Sequence, residues 1–193
     1  MRDSIIRKAR ESARITQQLI EDEAERIERC CLALAERFAG GGRLLVFGNG
    51  GSACDALHVA VEFTHPIIEK RRPLPALALG LDVASLTAIG NDGDFGRVFV
   101  DPLELFARPG DAVLGLSSSG QSANVNRALR DARRRDLLTI GFAGRDGGEM
   151  VDLCEHCFVV PTWSVHRVQE AHTALLHLLW DQVHVALGED DVL

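Results

Sequence analysis

The sequence predicts an α/β fold: a parallel sheet with helices packed on both faces. Three observations carry that prediction. From residue 43 onward, short apolar runs alternate with longer amphipathic stretches. Two of those runs hand over to Gly- or Ser-rich loops that open a helix, as βα connections do. Ahead of them, residues 3–39 carry charged and apolar side chains at helical spacing.

That first stretch places Ile20, Ala24, Ile27, Cys31, Leu34 and Phe38 on one stripe, and Gly40-Gly41-Gly42 stops it. About 35 residues of helix exceed what one small sheet covers, so the helix either pairs with its counterpart in another subunit or folds back over the sheet. The core then reads strand 43–47, helix 52–64, strand 74–79, helix 83–90, strand 111–116, helix 122–135, strand 137–142, helix 146–153, strand 156–160 and helix 165–188. Right-handed connections follow, and ligands should gather at the carboxyl ends of the strands. The order contains no repeat or low-complexity segment, and the only tail is the acidic GEDDVL.

A length of 193 residues suits one domain, 1–193, with residues 1–40 as a helical extension and 41–193 as the α/β core. The apolar fraction of 46% and charged fraction of 25% are those of a globular protein, and no apolar run approaches the ~18 residues of a membrane span. Arg2, Arg7, Arg10 and Arg14 are interspersed with Asp3 and Glu11 and precede no apolar signal core, so the start reads as a helix and the protein as cytoplasmic. A net charge of −7 argues against nucleic acid or an anionic membrane as partner. The basic run Arg130 to Arg135 falls at a helix end, where cations suit the dipole. Five cysteines form no framework. Cys154-Glu155-His156-Cys157 lacks a second ligand pair at zinc-finger spacing, so these cysteines read as packing residues in a reducing compartment.

The chemistry concentrates in two loops and two helices. GNGGS (48–52) and Ser117-Ser118-Ser119-Gly120-Gln121-Ser122 both aim backbone N–H groups, hydroxyls and a helix start at one crevice, which suits a phosphorylated small molecule. Neither is a Walker loop or a GxGxxG fingerprint. Taken singly, either loop could be a tight connection with N-caps from Ser52 and Ser122. His58 and Glu62 lie four residues apart, on one face of a helix that starts at the glycine loop. In the last helix Gln169 and His177 are eight residues apart and share a side. A lone histidine among leucines is an ordinary core or interface residue, but this one joins a chain that already offers His58 and Glu62 beside a phosphate crevice.

The strings GNGGSxxDAxHxAxEF, SxSGxSxNV, TAIGND and RxQExHxxxxH, in this order over nearly the whole chain, resemble the phosphoheptose isomerases of the sugar isomerase (SIS) family. The resemblance implies a flavodoxin-like five-stranded parallel sheet in three layers. It also implies a homotetramer built through the N-terminal helices and conversion of sedoheptulose 7-phosphate to D-glycero-D-manno-heptose 7-phosphate, a step of heptose biosynthesis. Carried over by motif, Glu62 is the base and His177 the acid. Asn49, Gly50, Gly51, Ser52, Asp92, Ser117, Ser118, Ser119, Ser122 and Gln169 contact the phosphosugar. In part of the family His58, Glu62, Gln169 and His177 hold one zinc ion per subunit.

Those residue types suit the reaction: a carboxylate takes a proton from C1, and a partner shuttles protons between O1 and O2 as an enediol forms. Two departures stand out. His166 occupies the place of a usual Asp three residues before Gln169, and Thr64-His65-Pro66 replaces the usual Thr-Gly-Arg, leaving Lys70, Arg71 or Arg72 to supply the arginine's charge. The competing reading is a non-catalytic SIS-domain binding protein resembling the replication-initiator-associating proteins, which lack the complete His/Glu/His set.

Overall fold

The structure, a computed structural model, describes residues 1–67, 71–80 and 82–191. Lys70, one of the three candidates for the missing arginine, lies outside the described residues. Five strands form one parallel sheet in the order β2-β1-β3-β4-β5: β1 (Leu44–Gly48), β2 (Ala76–Ala78), β3 (Ala112–Ser117), β4 (Leu138–Gly144) and β5 (His156–Val160). Among the described residues seven helices surround it: α1 (Arg2–Ala39), α2 (Gly51–Thr64), α3 (Val83–Asp92), α4 (Val100–Phe106), α5 (Ala123–Arg134), α6 (Met150–Leu153) and α7 (Val165–Ala186). The expected five-stranded α/β architecture is what forms.

Alternation along the central strands builds two cores. Leu44 and Val46 of β1, Leu114 of β3 and Ile140 and Phe142 of β4 point to the face covered by α1, α2 and α7. Their neighbours Leu45, Phe47 and Val113 point to the face covered by α4, α5 and α6. All residues of β1, β3 and β4 are buried, which is why their sequences read as unbroken apolar runs rather than alternating ones.

The differences from the sequence reading have local causes. β2 keeps three residues of an expected six because Pro75 brings no N–H to the ladder. The helix expected from 146 starts only at Met150, since Gly147 and Gly148 hold φ of 83° and 51°. A 3-10 turn (Phe95–Arg97) and α4 form between 90 and 111, where the sequence reading assigns no element, and α4 carries Pro102. It sits in the first turn of α4, where a missing N–H costs little.

α1 is one unbroken helix of 38 residues, about 57 Å long at 1.5 Å per residue. Ile27, Cys30, Cys31, Leu34, Ala35 and Phe38 fold back over the sheet. Further toward the N-terminus the helix leaves the sheet and passes the start of α7, so Leu19, against Val160, Val168 and Ala171, is the buried residue there. Ile20 is only half-buried and Ala24 is exposed, against the expected stripe. Residues 1–14 are exposed except for the half-buried Ser4 and Ser12.

Candidate functional site

The sheet order makes β1 and β3 neighbours, with Gly48 in register with Leu116. The chain leaves β1 toward β2 on one side and re-enters at β3 on the other. This reversal is the switch point at which open α/β sheets hold ligands, and both polar loops open there.

In the glycine loop, Gly50 precedes α2 with φ 57°, a left-handed value that favours glycine. Gly51 is required by packing: a methyl group there would lie 2.1 Å from Gln169 Nε2. The amide of Gln169 thus rests on the first turn of α2. Ser52 is buried within that turn rather than capping it. In the serine loop, Ser117 Oγ lies 2.8 Å from Ser122 Oγ and 3.4 Å from Ser119 Oγ, and Ser119 Oγ accepts from the Gln121 N–H at 3.2 Å. Ser118 is half-buried beside them. Ser122 stands at the N-cap position of α5, yet its hydroxyl is turned to Ser117 and makes no cap hydrogen bond. The capping alternative, open for either loop taken singly, is therefore taken by neither Ser52 nor Ser122. Neither helix start is satisfied by a side chain at its N-cap, which favours an anion there.

α2 and α7 bring the titratable residues together. His58 Nε2 lies 3.2 Å from His177 Nε2 and 3.3 Å from Glu62 Oε1. Three ligand atoms, one from each side chain, fall within 4.8 Å of one another. Two imidazole nitrogens and a carboxylate oxygen suit zinc. Bonds of about 2.0–2.1 Å in tetrahedral geometry would set neighbouring ligand atoms about 3.3 Å apart, matching the two short separations. Gln169 is on the same side of α7 but about two turns away, with its amide over Gly51.

Asp55 was not singled out from the sequence. It lies on the same face of α2, three residues before His58 and seven before Glu62, and that spacing was the available signal. Partial burial pushes its carboxyl up, His58 opposes the shift, and one carboxyl oxygen is buried without a partner among the described residues. Asn124 was also missed. Its amide exchanges hydrogen bonds with that of Asn49, linking the two loops.

Asp92 is not joined to this group: it ends α3 exposed, and its side-chain partner is Asn91. His166 is exposed on the first turn of α7. Arg71 and Arg72 are engaged elsewhere. Arg71 is buried, paired with Asp181 at 2.5 Å and stacked 4.7 Å over the Trp180 ring, and Arg72 pairs with Glu189 at 3.5 Å. All five cysteines are free; Cys30, Cys31 and Cys157 are buried packing residues, Cys154 and Cys157 both pack about Gly141, and Cys54 is exposed. Among the described residues no helix is long and apolar enough to cross a membrane.

Residues 9–144 match the family model described as SIS domain. A phosphoheptose isomerase of Geobacter sulfurreducens is 43% identical over 187 residues, 97% of this chain and 99% of the relative. One of Roseiflexus sp. is 42% identical over 176 residues, 91% of this chain and 89% of the relative. Among solved structures, the phosphoheptose isomerase of Neisseria gonorrhoeae superposes with a TM-score of 0.87 at 34% identity, covering 94% of this chain and 97% of its own. That of Francisella tularensis gives 0.89 at 27% identity, covering 95% and 97%.

Proposed function

The chain belongs to the SIS domain family, and on that premise we propose that it is a phosphoheptose isomerase, converting sedoheptulose 7-phosphate to D-glycero-D-manno-heptose 7-phosphate through an enediol. The observation that carries the reading to this chain's own residues is the convergence of His58, Glu62 and His177 beside two anion-suited loops. That complete set also speaks against the non-catalytic binding protein.

Ser117, Ser119 and Ser122, with the start of α5, hold the phosphate, and Ser52, Asn49 and the backbone of Gly50 and Gly51 line the sugar's side of the crevice. Ser118, Gln169 and, from α3, Asp92 complete the contacts by motif. Glu62 removes a proton from C1, leaving an enediol, and returns it to C2. His177 gives a proton to O2 and takes one from O1, so the sugar is isomerised with no net loss of protons. Glu62 uses Oε1 toward His58, while Oε2 has no hydrogen bond among the described residues and is the oxygen free for C1.

His58, Glu62 and His177, with Gln169 as a fourth donor, would hold one zinc ion per subunit; the spacing of the first three supports this. When bound, zinc supplies a Lewis acid for the oxygens of the developing enediolate. We further read the chain as one unit, because α1 contributes to the same core as the sheet, and as part of a homotetramer. Residues 1–14, exposed but for the half-buried Ser4 and Ser12 and with Ile5 61% exposed, support self-association. A phosphorylated metabolite as substrate and five free cysteines suit the cytoplasm.

Turnover of sedoheptulose 7-phosphate followed by NMR tests the reading, with glucose, fructose and ribulose phosphates as controls. Appearance of the aldose from the heptulose phosphate alone is the expected result. Silence with all four sugars, from folded protein loaded with zinc, would return the chain to the binding-protein reading.

A further inference from the structure

We propose that Asn124 is a positioning residue: its amide sets which edge of Asn49 faces the substrate and ties the glycine loop to the serine loop. The inference rests on the reading of the crevice as a phosphosugar site.

Two amides meet between the loops. Asn49 Nδ2 donates to Asn124 Oδ1 at 2.8 Å, and Asn124 Nδ2 donates to Asn49 Oδ1 at 2.9 Å. A ring of two such bonds is symmetric. Turning both amides over together would preserve it, so the pair alone does not decide which way Asn49 points. The backbone N–H of Val125 breaks the symmetry. It can only donate, and it lies 2.9 Å from Asn124 Oδ1. The atom in that place must be oxygen, and the atom of Asn49 that faces it must be nitrogen. The orientation of one loop's side chain is thus dictated by a backbone group at the start of the other loop's helix.

The Asn124 side of the lock is buried, and its oxygen is doubly engaged. Asn124 is 5% exposed, and its Oδ1 accepts from both Asn49 and Val125. Below it Asn126, 2% exposed, donates to the Gly120 carbonyl at 3.0 Å, so the same turn of α5 also holds the serine loop. Asn49 keeps one amide hydrogen and one oxygen lone pair without a partner among the described residues. These are what it has left to offer the phosphosugar, and they point correctly only while Asn124 holds the rest of the amide.

Coupled residues give non-additive losses. Asn124→Ala should lower kcat/KM for sedoheptulose 7-phosphate by about tenfold, as a buried amide loses its partner, and Asn49→Ala by a similar factor. The double variant should fall no further than about twofold below the worse single one. Losses that multiply would overturn the proposal. Asn124→Asp supplies a near-isosteric check that does not depend on truncating a buried side chain. Its ionised carboxylate still accepts from Val125 but has no hydrogen for Asn49 Oδ1, whereas the protonated acid restores a donor. The ratio of variant to wild-type kcat/KM should therefore rise as pH is lowered from about 8 to 5. A ratio flat across that range marks a packing role only and sinks the idea. If the wild type turns over no heptulose phosphate, the isomerase reading fails separately. The same cycle is then read from sedoheptulose 7-phosphate affinity by calorimetry, with non-additive losses expected and additive ones overturning.

Discussion

The serine loop and the α2–α7 face line one crevice but are built in opposite ways. In the serine loop the contacts among the hydroxyls span a few residues, as with Ser117 to Ser122 and Ser119 to Gln121, and only the Asn49–Asn124 pair reaches farther. On the helical face, His58 meets His177 across 119 residues of sequence. The first can form as soon as β3 and α5 exist. The second requires α7 to be seated on the sheet, which Leu175, Leu176, Leu179 and Val183 achieve on the side of the helix that faces the core. In the proposed assignment, anion holding therefore rests mostly on local contacts, whereas acid–base chemistry rests on tertiary packing.

The sharpest way to separate the two regions is to disable one and leave the other intact. Glu62→Gln keeps the shape and hydrogen-bonding capacity of the side chain but removes the base. Turnover of sedoheptulose 7-phosphate should fall by at least ~10²-fold while its calorimetric affinity survives. His177→Gln should act in the same direction, and both variants, like His58→Gln, should copurify with less zinc by elemental analysis. Near-wild-type turnover in Glu62→Gln would break the division of labour, since the base would then lie elsewhere.

The same contrast explains what the sequence disclosed. The strand-loop-helix order and both polar loops were legible because hydrophobic runs and turn residues act over short range. The facing of His58 and Glu62 followed from helical spacing alone. Nothing in composition or spacing joined His177 to them; only the shared motifs did so, because a meeting of α2 and α7 depends on how both pack against β1, β3 and β4. Asn124 stands in the SxSGxSxNV string, but its role was invisible for a related reason. Its partner is 75 residues away, and an asparagine in the first turn of a helix looks like an ordinary local choice. Ser122 left two readings open: by position it is an N-cap, but its hydroxyl is turned to Ser117 instead. α4, at seven residues, is too short to show a helical period, and the stripe on α1 drifted because that helix changes partners from sheet to α7 part way along.

How firmly α7 is seated can be measured through His172. This fully buried residue lies between Gln169 and His177, and its Nε2 is 3.1 Å from the Ala143 carbonyl of β4. Burial pushes its imidazole down to about 4, against which the bond to Ala143 works only partly. The unfolded chain therefore takes up a proton near pH 6.5 that the folded chain refuses until about pH 4. The stabilising contribution is complete well above pH 6.5 and is lost as pH falls toward 4. Between pH 8 and pH 5 the wild type should lose about 2 kcal/mol by this route. In His172→Gln, whose amide can still donate to Ala143, that part of the acid sensitivity should vanish. Urea titrations of both proteins at the two pH values measure it. An identical pH dependence would mean that α7 opens around His172 without global unfolding.

The smallest effect belongs to the local region, and its size follows from how that region is built. Ser119 is half-buried, and its hydroxyl lies 3.4 Å from Ser117 Oγ while accepting from the Gln121 N–H. In Ser119→Ala a water molecule has room to take the hydroxyl's place, and Ser117, Ser122 and the start of α5 still face the phosphate. The loss should therefore be about 1 kcal/mol, roughly fivefold in affinity for sedoheptulose 7-phosphate by calorimetry. It should fall on binding, with kcat little changed, because the phosphate is held equally in ground state and transition state. Unchanged affinity would remove Ser119 from the phosphate site. A loss confined to kcat would be the more instructive failure, since it would show that the serine loop positions the sugar for Glu62 and that the two regions are not separable after all.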